Sequence, residues 1–119
     1  MNLRIEKQDN ITIVNLNEDK FTNMLSANFT DKMQNLIDEG NFNILINLEK
    51  VNYMDSSALG SIITTYNSIN EAAKSNDTKG SVSICSLNKS VDFLFSMLRI
   101  NGIINIYQSK EIAIESLSQ

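Results

Sequence analysis

The stretch Met54-Asp55-Ser56-Ser57-Ala58-Leu59-Gly60 lies between an apolar segment and a segment with helical periodicity. Before it, residues 44–48 are almost continuously apolar, the pattern expected for a strand that is covered on both faces of a sheet. After it, apolar residues recur at helical spacing from Leu59 to Ala73, which predicts an amphipathic helix that begins near Ser56. The stretch therefore predicts a strand-to-helix junction with two hydroxyls and a carboxylate at the helix start.

Strands and helices alternate on both sides of this junction. Turn residues separate segments whose apolar spacing changes between the strand period and the helix period. We predict a hairpin within residues 3–16, strands at 43–48, 81–85 and 103–106, and helices at about 26–40, 56–74, 91–98 and 110–117. The element order is ββαβαβαβα. The fold class is therefore α/β, with a mixed β-sheet of about four to five strands, an N-terminal hairpin and about four helices.

Composition limits the chemistry of the chain. Its 119 residues, of which 42% are hydrophobic, suit one domain over residues 1–119. It contains no His and one Cys, so it lacks the usual base for a nucleophilic serine, the commonest metal ligand and any disulfide. No phosphate-binding loop, dinucleotide fingerprint or metal-binding motif occurs. We expect no catalytic residue, cofactor or metal, and place an enzyme or nucleotide-binding module last among the alternatives. Cys85 is expected in the core.

Charge and hydropathy restrict the partners and the location. The net charge is −4, and the ten basic residues are scattered rather than clustered, which disfavours nucleic acid and anionic lipid as partners. The N-terminus has no apolar region typical of a signal peptide, and no segment approaches the ~20 apolar residues of a membrane span. We therefore expect a cytoplasmic protein with no membrane association.

The hydroxyl of Ser56 has two compatible interpretations. As the helix N-cap it would accept a hydrogen bond from the amide of Ala58 or Leu59, worth typically ~1 kcal/mol. A helix start also tolerates a phosphate group, whose charge of about −1.5 to −2 would alter the surface sharply and could expel a docked partner. Asp55 is either a loop acid that assists the cap or a carboxylate that orients the neighbouring hydroxyl for a kinase.

Two further features bear on partner binding. Gly60 stands in a first helical turn, where Gly costs about 1 kcal/mol relative to Ala, so either a partner surface or tight interior packing is expected there. The segment at 91–98 is apolar around much of its helix. Core packing is the favoured interpretation, and an exposed partner-binding patch at Phe93 or Met97 is the alternative.

The residues from Val51 to Gly60, after a strand that ends in Asn-Leu, resemble the STAS domain of anti-sigma factor antagonists. The similarity covers nearly the whole chain, including Cys85-Ser86 and the segment at 91–98. In that family the residue after the Asp is phosphorylated by an anti-sigma factor that is also a serine kinase. The resemblance therefore implies phosphorylation at Ser56, with Ser57 as the second candidate.

The resemblance implies an anti-sigma factor antagonist that controls transcription by partner switching. The unphosphorylated protein would bind the anti-sigma factor/serine kinase, the phosphorylated protein would release it, and a serine phosphatase would reset it. The domain would not be an enzyme and would be a monomer or weak dimer. The partner-binding residues would be Asp55, Ser56, Ser57, Ala58, Leu59 and Gly60.

The chain departs from the family at two places. Ala58 replaces the usual Gly of the Asp-Ser-Ser-Gly-Leu-Gly run, and the loop at 17–22 lacks a clear counterpart of the family's acidic residue. The alternative is therefore a STAS scaffold or interaction domain, in a sensory complex or transport system, that is not phosphorylated.

Overall fold

A computed structural model describes residues 1–119 and contains seven strands, four α-helices and one 3-10 helix. The elements are β1 (Leu3–Gln8), β2 (Ile11–Leu16), β3 (Lys20–Phe21), α1 (Asn23–Asp38), β4 (Asn43–Asn47), β5 (Tyr53–Met54), α2 (Ser56–Ser75), β6 (Ser81–Cys85), α3 (Lys89–Met97), the 3-10 helix Ile100–Gly102, β7 (Asn105–Tyr107) and α4 (Lys110–Leu117). The predicted α/β class, hairpin and four helices are confirmed.

The main sheet has five strands in the order β1-β2-β4-β6-β7. β1 and β2 form the antiparallel hairpin, whereas β2, β4, β6 and β7 run parallel to one another. β4 is central and its middle residues are buried, as its continuous apolar sequence predicts. The last strand lies at 105–107 rather than at 103–106, because Ile103 and Ile104 bond back to Ile100 in the 3-10 turn instead.

The two faces of the sheet carry cores of different size. Alternation along β2 directs Val14 and Leu16 to a cluster of 21 buried apolar residues, which α1, α2 and α3 cover. Ile11 and Ile13 point to the other face, where a cluster of five buried residues packs with α4. Cys85 belongs to this smaller cluster and is fully buried, so the prediction that it is a core residue is confirmed.

Because the strands are parallel, all four α-helices begin on the same side of the sheet, beyond the carboxyl ends of the strands. Each chain segment leaves β2, β4, β6 or β7 at the carboxyl end of the strand, and the next helix begins there. A separate two-stranded parallel sheet joins the connections that lead into α1 and α2, pairing Lys20 with Tyr53 and Phe21 with Met54. This small sheet was not predicted, and it brings the starts of α1 and α2 together.

Candidate functional site

Asp55 is the N-cap of α2. Its backbone is extended, with φ −103° and ψ 178°, and its Oδ1 accepts a hydrogen bond from the amide of Ala58 at 2.9 Å. The interpretation of Ser56 as the cap is therefore wrong. A carboxylate directly before the helix already satisfies the amide that the serine hydroxyl would have taken. Ser56 is instead the first residue inside the helix.

The same carboxylate also caps α1. Oδ2 of Asp55 accepts a hydrogen bond from the amide of Asn23, the first residue of α1, at 2.9 Å. Thr22 is the N-cap of α1 by backbone conformation, but its side chain makes no capping hydrogen bond. One negative charge thus lies at the positive ends of two helices, an arrangement that stabilises both. Of the two interpretations of Asp55, these hydrogen bonds support the capping role.

The connections around Asp55 are joined by further hydrogen bonds. The Asp19 carboxylate accepts from the side-chain amide of Asn52 at 2.7 Å, and the Asp19 carbonyl accepts from the Asn52 backbone amide at 2.8 Å. The amide of Asp55 donates to the carbonyl of Phe21 at 3.3 Å. Asp19, one of the two acidic residues of the loop at 17–22, is therefore bonded to the residue that precedes β5.

Ser56 and Ser57 are both exposed, and neither hydroxyl makes a hydrogen bond within the protein. Consecutive helical residues point about 100° apart, so the two side chains face different surroundings. Ser57 lines a groove between α1 and α2 together with Thr30, Asp31 and Gly60, whereas Ser56 does not line this groove. The Ser56 hydroxyl thus lies at the start of α2, where it is exposed to solvent and has no hydrogen-bond partner within the protein.

The remaining residues of the predicted partner-binding set differ in exposure. Ala58 and Leu59 are buried in the larger core, at 0% and 4% exposure, so their side chains cannot meet a partner in the folded domain. Gly60 is exposed, and a Cβ added there would have no atom within 4 Å. Tight interior packing therefore does not explain Gly60. The surface of this segment consists of Asp55, Ser56, Ser57 and Gly60.

Three large apolar side chains are exposed on β5 and α3, two elements that contact each other. Tyr53, Phe93 and Met97 are 53%, 69% and 59% exposed, so the prediction that Phe93 and Met97 pack in the core is wrong. Val91 and Phe95 are the residues of α3 that enter the core. The start of α3 is fastened to the segment before Ser56: the Asn88 side chain donates to the Val51 carbonyl at 2.7 Å, and Ser90 Oγ donates to the Asn52 carbonyl at 2.7 Å. We call Tyr53, Phe93 and Met97 the apolar surface.

No three side chains of the types His, Cys, Asp and Glu converge on a position that could hold a metal ion. No helix of the chain has the length and apolar character that crossing a membrane requires. Burial raises the pKa of the Cys85 thiol, so this group does not supply a reactive thiolate near the junction.

A polar cavity of about 290 Å³ opens near the start of α4, lined by Asn15, Asn47, Lys50, Lys110 and six other residues besides the single apolar Leu16. Its floor is internally bonded, since Asn47 donates to Asn15 at 2.8 Å and Asn15 donates to Glu6 at 2.6 Å. Lys110 contacts the same Glu6 carboxylate at 2.8 Å. These side chains therefore satisfy one another's hydrogen bonds.

The STAS domain family model matches residues 2–113. This chain belongs to the STAS domain family. Among solved structures, a candidate anti-sigma factor antagonist of Thermotoga maritima aligns with a TM-score of 0.83 at 23% identity, covering 98% of this chain and 95% of that chain. A STAS domain protein of Planctomyces limnophilus aligns at 0.80 and 17% identity, covering 98% of both chains. The phosphorylated form of SpoIIAA, a Bacillus cell fate determinant, aligns at 0.72 and 16% identity, covering 98% and 99%. At these identities the structures establish the common fold.

Proposed function

We propose that this STAS domain is an anti-sigma factor antagonist that works by partner switching. The unmodified protein binds an anti-sigma factor with serine kinase activity, and phosphorylation of Ser56 releases that partner. The observation that carries the proposal is the state of Ser56: its hydroxyl is exposed, makes no hydrogen bond within the protein, and stands at the first residue of α2. The structural similarity to proteins named as anti-sigma factor antagonists supports it.

The junction can accept a phosphate without loss of the fold. The group would lie near the starts of α1 and α2, where the helix dipoles favour negative charge. The nearby Asp55 carboxylate is already bonded to two amides, which reduces its repulsion of a second anion. For a partner seated on this surface, however, a group of about −1.5 to −2 charge is both bulky and strongly hydrated. The modification therefore acts on binding rather than on folding.

Ser56 is favoured over Ser57 by its surroundings. A phosphate on Ser57 would lie in the groove between α1 and α2, which Asp31 also lines. Like charges close together disfavour that modification. Ser57 remains the second candidate.

The proposal assigns no catalysis to this chain itself. A kinase supplies the phosphate, a serine phosphatase removes it, and the antagonist works in the cytoplasm as a monomer or weak dimer without contacting nucleic acid. Transcription then depends on whether the anti-sigma factor is bound to this protein or released from it. A switch of this kind requires only that the partner distinguish the two chemical states of one surface.

Binding measurements with the purified partner test the proposal. If a neighbouring gene encodes a histidine-kinase-like ATPase, its product is the partner to use. We expect Ser56→Ala to bind like the wild type and Ser56→Asp to bind about a hundredfold more weakly in isothermal titration, because a fixed negative charge then faces the interface. Asn70→Asp places the same charge about four turns along α2, outside the groove that Ser57 and Gly60 line, and is the control. Equal affinities for Ser56→Ala and Ser56→Asp would contradict partner switching at this residue.

The apolar surface favours a second candidate function, an interaction domain that is never phosphorylated. Tyr53, Phe93 and Met97 supply a contact area that does not depend on the state of Ser56. In a constitutive scaffold of a sensory complex or transport system, Phe93→Ser would abolish partner binding while Ser56→Asp would leave it unchanged. The same titration therefore separates the two functions.

A further inference from the structure

We infer that Asp55 determines which serine of the Asp-Ser-Ser run is phosphorylated. By capping α2 itself, Asp55 leaves the Ser56 hydroxyl free and makes Ser56 the first residue of the helix. Asp55 is thus a positioning residue for the phosphoryl transfer, and this inference rests on the proposed function.

The run Asp55-Ser56-Ser57 offers three consecutive side chains that are all good N-caps. Only one of them can cap a given helix start, because the N-cap residue is extended and the next residue is helical. If Ser56 were the cap, its hydroxyl would accept an amide hydrogen bond and Ser57 would become the first helical residue. The choice of cap therefore decides whether the Ser56 hydroxyl is free, whereas the Ser57 hydroxyl is free in either case.

Contacts within and outside α2 both favour Asp55 as the cap. The Asp55 carboxylate has two oxygens, and each accepts from a different helix: Oδ1 from Ala58 and Oδ2 from Asn23, both at 2.9 Å. The Asp55 amide is held by the Phe21 carbonyl at 3.3 Å. A serine hydroxyl has a single oxygen on a shorter side chain and cannot span the starts of both helices. The bond to Ala58 makes Asp55 the cap of α2, and the link to Asn23 adds a second reason for a carboxylate at this position.

Removal of the carboxylate has a specific consequence. In Asp55→Ala the amides at the start of α2 lose their acceptor, and the nearest side chain able to replace it is the Ser56 hydroxyl. The cap then moves to Ser56, and Ser57 becomes the first helical residue with a free hydroxyl. Phosphorylation is expected to fall at Ser56 and to appear at Ser57.

The test compares Asp55→Ala with Asp55→Ser and Asp92→Asn. Each variant replaces the wild-type protein in the organism that produces it. Asp55→Ser keeps an acceptor for α2 at residue 55 and lacks the second oxygen for Asn23. Asp92→Asn removes an exposed acid from the first turn of α3, where its side chain makes no hydrogen bond. Fragmentation mass spectrometry of the isolated proteins gives the phosphate at each serine.

We expect phosphate on Ser56 in the wild type, Asp55→Ser and Asp92→Asn. In Asp55→Ala we expect about tenfold less on Ser56, the scale of one capping hydrogen bond, with Ser57 modified instead. Carbon and amide chemical shifts of Ser56 in purified Asp55→Ala give a readout that needs no kinase: they should change from first-helical-residue values to N-cap values. Unchanged shifts together with wild-type phosphorylation of Ser56 would overturn the inference.

The two proposals fail in distinguishable ways. If wild-type protein never carries phosphate, the proposed function fails, while the chemical shifts of Asp55→Ala still decide whether Asp55 sets the helix start. If Asp55→Ala does not fold, Asp55→Asn is tested in its place, and the result expected for Ser56 is then the opposite one. Its Oδ1 still accepts from Ala58, so Ser56 should stay the modified residue although the bond to Asn23 is lost. Transfer of phosphate to Ser57 in Asp55→Asn would overturn the inference.

Discussion

Replacing Asp55 by Ala should destabilise the domain more than the loss of an ordinary helix cap. The carboxylate accepts one amide from α2 and one from α1, both at 2.9 Å. A single N-cap contributes typically ~1 kcal/mol, and a negative charge near a helix start adds about 0.3–1 kcal/mol. Two caps and one shared charge give a loss of about 2–3 kcal/mol. The cap that Ser56 takes over at α2 recovers about 1 kcal/mol of this, so the net loss expected is about 1.3–2 kcal/mol.

Urea denaturation monitored by circular dichroism measures this loss. Ser109 caps α4 alone, with Oγ 3.2 Å from the amide of Ile112, so Ser109→Ala is the single-cap comparison and should cost about 1 kcal/mol. Thr22→Ala is the control for α1, because the Thr22 side chain makes no capping bond. It should change stability by less than about 0.5 kcal/mol. A loss for Asp55→Ala no greater than that for Ser109→Ala would refute the double cap.

Three further results are expected. The Lys110 ammonium, and then the Asn15 amide, hold the pKa of Glu6 below its ordinary value, so this carboxylate stabilises the fold above about pH 4.5, and the stabilisation is lost as the pH falls through the lowered pKa. The difference in unfolding free energy between wild type and Glu6→Gln should therefore shrink in acid, whereas a constant difference would contradict the pairing. Buried Cys85 should react with a thiol reagent only after unfolding, and rapid reaction of native protein would contradict its burial. Gly60→Ala should raise the unfolding free energy by about 0.5–1 kcal/mol, because its added methyl meets nothing. Gly80→Ala, whose Cβ would lie 2.6 Å from a methyl of Ile69, should lower it by about 1–3 kcal/mol, and equal effects would contradict this packing.

The sequence was sufficient for the elements that have several apolar residues in a regular period. β4 and α2 are the clearest cases, since a continuous apolar run predicts the strand and a helical repeat predicts the helix. β3 and β5 have two residues each, and two residues carry no period. Local patterns therefore could not reveal the small sheet that joins the connections into α1 and α2.

The same limit explains the wrong choice of cap. Local rules rank Asp and Ser as similar N-caps, so the run at 55–57 was ambiguous on its own. The bond that resolves it comes from Asn23, 32 residues earlier in the chain. The best local signal was the acid itself, because a carboxylate before two serines has the two oxygens that a shared cap needs.

The exposure of Phe93 and Met97 was also beyond local patterns. α3 is apolar on most sides, and only the packing of neighbouring elements determines which side is covered. Val91 and Phe95, four residues apart on one face, are the residues that α3 buries. Residues on the opposite side stayed uncovered and form the apolar surface with Tyr53.

The central claim is that phosphate on Ser56 prevents partner binding. Native mass spectrometry of this protein, isolated from its own cells both free and in complex, tests it most directly. The account predicts that the copies bound to the anti-sigma factor lack phosphate and that the phosphate of the free pool lies on Ser56. Phosphate on Ser56 at the same fraction in complexed and free protein would contradict it.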